Sequence, residues 1–425
     1  MELSRSIRNI AAVVAGLTLL QAALGALALF VPLAIVARDG GAAGAGLAAA
    51  GFSAGFLAGA ALAVREVRAL GHIRAMAAFG AIAAIAAAGF SFADPVWWWT
   101  VCMAVIGSSV AGLVLAGESW IADSAPASVR GAVVGAYLLI SKAGLVAGPF
   151  LVAGAAPGDL SALILIIALF AACLLPVAAT RRGAPRLDDR GGASLTEAWR
   201  TAPAAIAASL VAGAMAGAVN QLYPVFAADL DPDRDAGAAA LFNAAMIGGA
   251  IVLQWPAGLI SDHFDRRLVI AALTGAGAGL ALALAFLGPV LPFMVTLGLA
   301  AAWGAGGLSF YGVAVAHAAD RAGPAGAGPL MPALLIGWGV GSVAGPLLAS
   351  ALMSIMGSGG LFIFAGAALG ALSAGLVWRS LGRKGVDSAD KTDFAPLSET
   401  ASAAATAAGH EPGQREAATN GPSTE

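Results

Sequence analysis

Apolar runs of about 20 residues, the length of helix that crosses a bilayer, alternate along this chain with short stretches where charge, proline and glycine collect. The alternation predicts twelve helices, at 10–37, 45–64, 73–93, 97–122, 130–154, 160–179, 203–228, 237–260, 268–288, 291–318, 328–354 and 359–378. Arg5 and Arg8 ahead of the first run look like the basic start of a signal peptide. That run is about 28 residues long and further spans follow it, so it reads as a retained helix.

Composition turns the pattern into a class. The 425 residues are 60% hydrophobic and 11% charged, against roughly 25% charged in soluble globular chains. An all-α, polytopic membrane protein is expected rather than a soluble fold. The formal net charge of −2 leaves no basic surface for a nucleic-acid partner. The two cysteines, Cys102 and Cys173, lie inside apolar runs, which offers neither a disulfide framework nor a cysteine metal site. The histidines, at 72, 263, 317 and 410, are too scattered to build a metal or nucleophile cluster at one depth, so an intramembrane enzyme is not expected. A phosphate-cradling loop of the form GxxxxGK[ST] is absent, so neither ATP nor another cofactor is expected to drive this chain.

The few charges orient the helices. With the N-terminus inside, seventeen positive residues fall on cytoplasmic segments and two, Arg38 and Arg234, fall outside. Both termini are then cytoplasmic, as in a multi-pass protein of a bacterial cell membrane. The segment 180–202 is the longest cytoplasmic connection and divides the spans six and six. It separates an N-terminal bundle, 1–179, from a C-terminal bundle, 203–380, and 381–425 reads as a disordered tail with almost no large apolar residue.

The halves repeat one another. Ala122-Asp123 and Ala319-Asp320 close the fourth and tenth spans at an offset of 197, and Gly144, Gly148 and Pro149 match Gly341, Gly345 and Pro346 at the same offset. Pro32 and Pro224 correspond at 192. Glycine–proline pairs do recur by chance in an apolar chain with 57 glycines, but five matches at one offset in equivalent spans favour a repeat. Six spans per copy is an even number, so the copies run parallel across the membrane.

The eighth span ends Gly258-Leu-Ile-Ser-Asp262-His-Phe-Asp265-Arg266-Arg267. A carboxylate in such a turn can cap a helix N-terminus, and the arginine pair is expected to anchor at lipid headgroups. This resembles the loop motif of the major facilitator superfamily, GxxxDxxGRR in outline, with Asp265 in place of the second glycine. The first-half loop, Val64 to Arg74, keeps Gly71 and Arg74 but carries Arg68 at the aspartate position. Gly135, Gly144 and Gly148-Pro149 of the fifth span permit close helix packing and a bend. They resemble the glycine–proline motif of the antiporter branches, with Leu151, Val152 and Ala153 where a glycine pair would follow. The stretch Gly117-Glu118-Ser119-Trp120, with Arg130-Gly131, Tyr137, Tyr311, His317, Asp320, Gly341-Ser342 and Gly345-Pro346, looks like the bacterial YcaD-type branch. The resemblance runs from about residue 10 to 380 and implies a twelve-helix transporter. The arginine often found in the fourth span, four residues before a glycine, is here Met103.

Charge inside hydrocarbon is costly unless it is paired or faces water, so such residues are functional candidates. Lys142 lies twelve residues past Arg130, about 18 Å along the helix and near mid-membrane. Snorkelling to the interface fails at that depth, and Lys142 is the candidate for the cavity's positive charge. Glu118 sits about 7–8 Å inside the cytoplasmic boundary, placed to relay a proton or to pair with a loop arginine such as Arg130. His317 has a similar depth and titrates near neutrality, although a hydrogen-bonded structural histidine is the plainer reading. Gln21, Asn220, Gln221, Tyr223, Asn243, Tyr311 and Trp338, with Gln254 and Trp303, complete the polar and aromatic candidates for a cavity. Asp262, Arg266, Arg267, Arg130, Asp123 and Asp320 are expected to form an inner gate, with Asp262 near the start of the fifth span. Trp97, Trp98 and Trp99 read as an interfacial aromatic anchor.

Together these features predict a monomeric secondary transporter without cofactor or metal. It moves a small organic solute by alternating access, with protons as coupling ion and export favoured over import. The alternative is a transport-fold sensor or scaffold that binds a ligand without moving it.

Overall fold

A computed structural model describes residues 2–124, 130–178, 194–231, 236–323, 327–382 and 391. In lipid every backbone N–H and C=O must find its partner within the segment, which leaves long apolar runs the helix as their form. The described residues are helices joined by short turns, with no strand among them. In chain order the helices are α1 (Glu2–Val36), α2 (Gly41–Leu70), α3 (His72–Ala88), α4 (Val96–Ser124), α5 (Arg130–Val152), α6 (Leu160–Ala172), α7 (Leu175–Ala178) and α8 (Leu195–Thr201). There follow α9 (Pro203–Leu230), α10 (Ala236–His263), α11 (Arg266–Leu287), α12 (Phe293–Leu308), α13 (Phe310–Ala322), α14 (Met331–Met356) and α15 (Gly360–Gly382).

Twelve stretches of the described residues are long and apolar enough to cross a membrane, from Ile10–Val36 to Gly360–Gly382. Each falls on a span expected from the apolar runs. Two spans are broken. The sixth is α6 followed by the single turn α7, and the tenth is α12 and α13 meeting at Ser309. Gly306 and Gly307 precede that break, where helix is weakest. Ser309 turns its hydroxyl onto the carbonyl of Ala305, a side-chain bond that competes with the helical ladder. Of the linker 180–202, residues 194–202 are described, and most of the expected tail lies outside the described residues.

Inside each half, helices meet backbone to backbone at glycine, and the same pairs recur. A Cβ on Gly144 or Gly148 of α5 would overlap the carbonyl of Thr18 or Ala22 in α1. On Gly341 or Gly345 of α14 it would overlap that of Leu210 or Ala214 in α9. The offsets are 197 for α5 to α14 and 192 for α1 to α9, the two found in the sequence. A second pairing repeats likewise. Gly55 of α2 abuts Ala104 and Gly107 of α4 abuts Phe52, as Gly249 of α10 abuts Ala301 and Gly304 of α12 abuts Met246. The fold is therefore twelve transmembrane helices in two parallel six-helix repeats.

Between the halves, α2 packs on α14, α5 on α10 and α1 on α9. Gly46 of α2 rests against Ser350 and the carbonyl of Pro346, Leu57 against Gly339, and the Phe56 ring lies 5.8 Å from that of Trp338. These contacts run from the middle of α2 toward its start, away from the arginine-bearing loops. At the other end Arg65, Glu66, Arg68, Ala69 and Leu70 are exposed.

The three tryptophans do not form one belt. Trp97 is outward-facing, but Trp99 is buried, donates to the carbonyl of Ala93 at 2.9 Å and packs 4.8 Å from the Phe90 ring. The Arg38 guanidinium lies 5.0 Å over the Trp99 ring and pairs with Asp94 at 3.5 Å. A buried indole with a satisfied N–H ties the α1–α2 turn to the start of α4.

Gly148→Ala is expected to destabilise the protein by about 1–3 kcal/mol through overpacking against the Ala22 carbonyl. Gly135→Ala, where a Cβ meets open space, should be neutral or stabilising by up to about 1 kcal/mol through helix propensity. Equilibrium unfolding in mixed micelles checks both, and equal effects would reject the packing argument.

Candidate functional site

The turn between α10 and α11 gathers the densest set of charges among the described residues. Asp265 caps α11, accepting from the Arg267 backbone N–H at 3.0 Å. It also takes two bonds from the Arg267 guanidinium, at 3.1 and 2.7 Å. Partial burial pushes the Asp265 carboxyl up, but those hydrogen bonds and the Arg267 charge outweigh it and hold the group below its ordinary value. Arg266 is enclosed: its Nη2 lies 3.1 Å from Asp262, its Nη1 donates to Ser261 at 3.3 Å, and its Nε lies 2.8 Å from Asp320 at the end of α13. Arg266 and Asp320 each leave 1% of their side chain exposed, so this pair is fully desolvated.

The expectation that this arginine pair anchors at headgroups is therefore corrected: both guanidinia point inward. The reason is the residue in place of the motif's second glycine. Asp265 supplies a carboxylate that draws Arg267 in, while Asp320 and Asp262 do the same for Arg266. Of the six inner-gate candidates the structure brings together Asp262, Arg266 and Asp320, with Arg267 beside them. The side chains of Asp123 and Arg130 lie outside the described residues, and with them the expected approach of Asp262 to Arg130.

Two contacts around this cluster were not read from the sequence. Arg267 reaches the carbonyl of Arg379 at 3.4 Å, joining the turn to the end of α15. The Lys391 ammonium donates to the carbonyl of Phe264 at 2.6 Å and lies 3.4 and 3.5 Å from those of Asp262 and Ser261. It thereby caps the C-terminus of α10, where a cation is favoured.

The first half holds a different group in the equivalent place. The α2–α10 packing has an offset of 194, and that offset sets His72 opposite Arg266. His72 is buried, lies 3.0 Å from the Ser119 hydroxyl through Nε2, and stands edge-on to the Trp120 ring at 6.0 Å. It follows Gly71, whose φ of 78° is the left-handed turn that ends α2. The signal was present in the sequence, because aligning the two loops by the repeat singles out His72.

Deeper in the bundle, Glu118 and Tyr137 are both buried, and the phenol donates to the carboxylate at 3.3 Å. His317, on α13, is buried within reach of the charges of Arg321, Arg267, Asp265 and Arg266. Tyr223, Asn243 and Tyr311 are enclosed, whereas Gln21, Asn220, Gln221 and Lys142 are half-buried. The Tyr223 hydroxyl and the indole N–H of Trp338 and Trp303 are buried without a hydrogen-bond partner among the described residues. Lys142 makes no hydrogen bond or ion pair among the described residues. It is placed beside the α1-facing glycines of its helix, rotated away from them.

A doubled six-helix bundle with an ion-paired loop at one end and isolated polar groups at mid-depth defines a membrane transport protein. The family model of the Major Facilitator Superfamily matches residues 13–331, and the chain belongs to that family. Among its relatives, the MFS-type transporter YcaD of Escherichia coli O17:K52:H18 is 26% identical over 362 residues, covering 84% of this chain and 92% of the relative. Its counterpart in Shigella flexneri serotype 5b is 25% identical over the same shares. Two solved structures share the fold. A bacterial homologue of the human lysosomal transporter Spinster, in an inward-facing and occupied conformation, matches with TM-score 0.68 and 16% identity over 90% of this chain and 97% of that one. The D-xylose–proton symporter matches with TM-score 0.65 and 16% identity over 91% and 99%.

Arg266→Met alone is expected to cost on the order of 3 kcal/mol, because it takes the paired guanidinium away from the buried Asp320 carboxylate, while Arg266→Met with Asp320→Leu should recover most of the loss. A double-mutant cycle on unfolding free energy measures the coupling, and additive losses would show the pair to be inert.

Proposed function

We propose that this chain moves a small organic solute across a bacterial cell membrane by alternating access, coupled to protons and favouring export. The observation that carries the reading is the repeat in the packing. Each half is tied internally by glycine–backbone contacts, and the α2–α14 seam between halves combines the approach of Gly46 to Pro346 with side-chain contacts such as Phe56 on Trp338. Two bodies of repeated construction that meet along such seams can rock about a central site. In this reading 1–179 and 203–380 are the bodies, 180–202 links them and 381–425 is the tail.

Orientation follows from the seventeen positive residues, which set the arginine-bearing loops and both termini in the cytoplasm. The seam closed between Gly46 and Ser350 then lies on the outer side, as in an inward-open state. Lys142, Gln21, Asn220, Gln221, Tyr223, Asn243, Tyr311, His317 and Trp338 are the cavity candidates. Asp262, Arg266, Arg267, Arg130, Asp123 and Asp320 form the inner gate. Glu118, held by Tyr137, is the coupling carboxylate: a buried acid with a hydrogen-bond donor beside it can take up and release a proton as the halves move. Fold neighbours described as nucleoside transporter and as fucose–proton and D-xylose–proton symporters support a polar organic solute and proton coupling. Export over import rests on the glycine–proline pattern of α5.

Proteoliposomes given a polar metabolite extract, with the transported species identified by mass spectrometry, test the reading. Collapsing an imposed pH gradient should lower net transport by about tenfold or more, and Glu118→Gln should keep downhill exchange while losing that dependence. Transport indifferent to the gradient would remove proton coupling.

A further inference from the structure

We infer that the solute is an organic anion carrying a single negative charge, and that Lys142 is its counter-charge. This rests on the transport reading above and names the substrate class of that site.

The direction of Lys142 comes from the repeat. Gly144 and Gly148 face α1, and Lys142, two residues before Gly144, sits about 200° round the helix from it. At an offset of 197 its counterpart is Gly339, which abuts Leu57 of α2 in the opposite half. The helix that corresponds to α2 is α10, and α5 packs on α10. Lys142 is therefore directed at the second seam between the halves, near mid-depth, rather than into the interior of its own bundle.

Among the described residues no protein group neutralises it there. Lys142 has no ion pair or hydrogen bond among the described residues, and the acids of the neighbouring spans are engaged elsewhere. Glu118 receives the Tyr137 hydroxyl, and Asp320 and Asp262 hold Arg266. The other polar side chains at comparable depth, Gln21, Asn220 and Gln221, are neutral amides. A cation at mid-membrane is tolerated when it is paired or faces water, and here the pairing is left for a ligand. A neutral solute would leave that charge uncompensated, and a cation would add repulsion. One ammonium with no second cation beside it suits a monoanion such as a carboxylate better than a polyphosphate, which calls for clustered arginines and lysines. The other seam supplies an apolar face at the same register. Trp338, one residue before Gly339, meets Phe56 at 5.8 Å, and its indole N–H is buried without a partner among the described residues. An acceptor on a flat or apolar solute body fits that donor.

The test sorts solutes by charge. Proteoliposomes of the full chain are incubated with a polar metabolite extract, and species enriched over empty liposomes are assigned their net charge at neutral pH by mass spectrometry. Monoanions are expected, and Lys142→Gln should reduce their enrichment by about tenfold or more, as loss of a charge partner does. Lys142→Arg should keep the preference for anions over neutral species. Size-exclusion chromatography establishes that the variants are folded, and should Lys142→Gln aggregate, the sorting in the unaltered chain still decides. Enrichment of neutral species, cations or polyanions would overturn the proposal while leaving transport intact. Monoanions indifferent to Lys142→Gln would overturn the role of Lys142. No enrichment of any species would overturn the transport reading, and this proposal with it.

Discussion

At the helix crossings a glycine of one helix is laid on a carbonyl of another, and much of the architecture follows from it. Lipid tails are as apolar as leucine, so helices in a bilayer gain little from hiding apolar surface and depend on close packing instead. Gly148 on Ala22 and Gly345 on Ala214 bring α5 onto α1 and α14 onto α9 in the same way. Once those pairs are fixed, Pro149 and Pro346 follow at matching positions, and the flank of α5 that carries Lys142 is set by the geometry of the glycine face.

Charge is distributed by the opposite logic. Where glycine appears many times, charge appears rarely, and its placement separates the ends of the bundle from the middle. At the loop end Arg266, Asp320, Asp262, Arg267 and Asp265 satisfy one another, a fully paired network that can be buried without an orphan ion. The first half sets His72 against Ser119 where the second sets Arg266, so the two ends of a symmetric fold are chemically unequal.

The spans were legible because a bilayer imposes length and apolarity on each of them, and the repeat because it survives as fixed spacings between Gly144 and Gly341 or Pro32 and Pro224. What stayed hidden depended on direction rather than on type. Arg266 and Arg267 have the composition of a surface anchor, and only the carboxylates that meet them in three dimensions show why they are enclosed. Trp99 reads like its neighbours in sequence, yet helical rotation turns it inward over Arg38. Lys391 lies in a stretch with no apolar pattern, so nothing in its surroundings announced a cap on α10. At the candidate site, the isolation of Lys142 was readable from depth and from the scarcity of acids, whereas the engagement of Glu118 by Tyr137 needed the packing of α4 on α5.

The break at Ser309 divides the tenth span into two pieces with different loyalties. The α12 piece carries Trp303, which is wedged 5.3 Å from Phe362 in a cluster of aromatic rings with Phe226 and Phe242. The α13 piece carries His317 and Asp320 and is clasped by Arg266. A continuous helix would transmit any tilt at the loop straight into the aromatic cluster. The interruption at Ser309 instead separates the ionic clasp on α13 from the ring cluster on α12, so the two need not move as one rod.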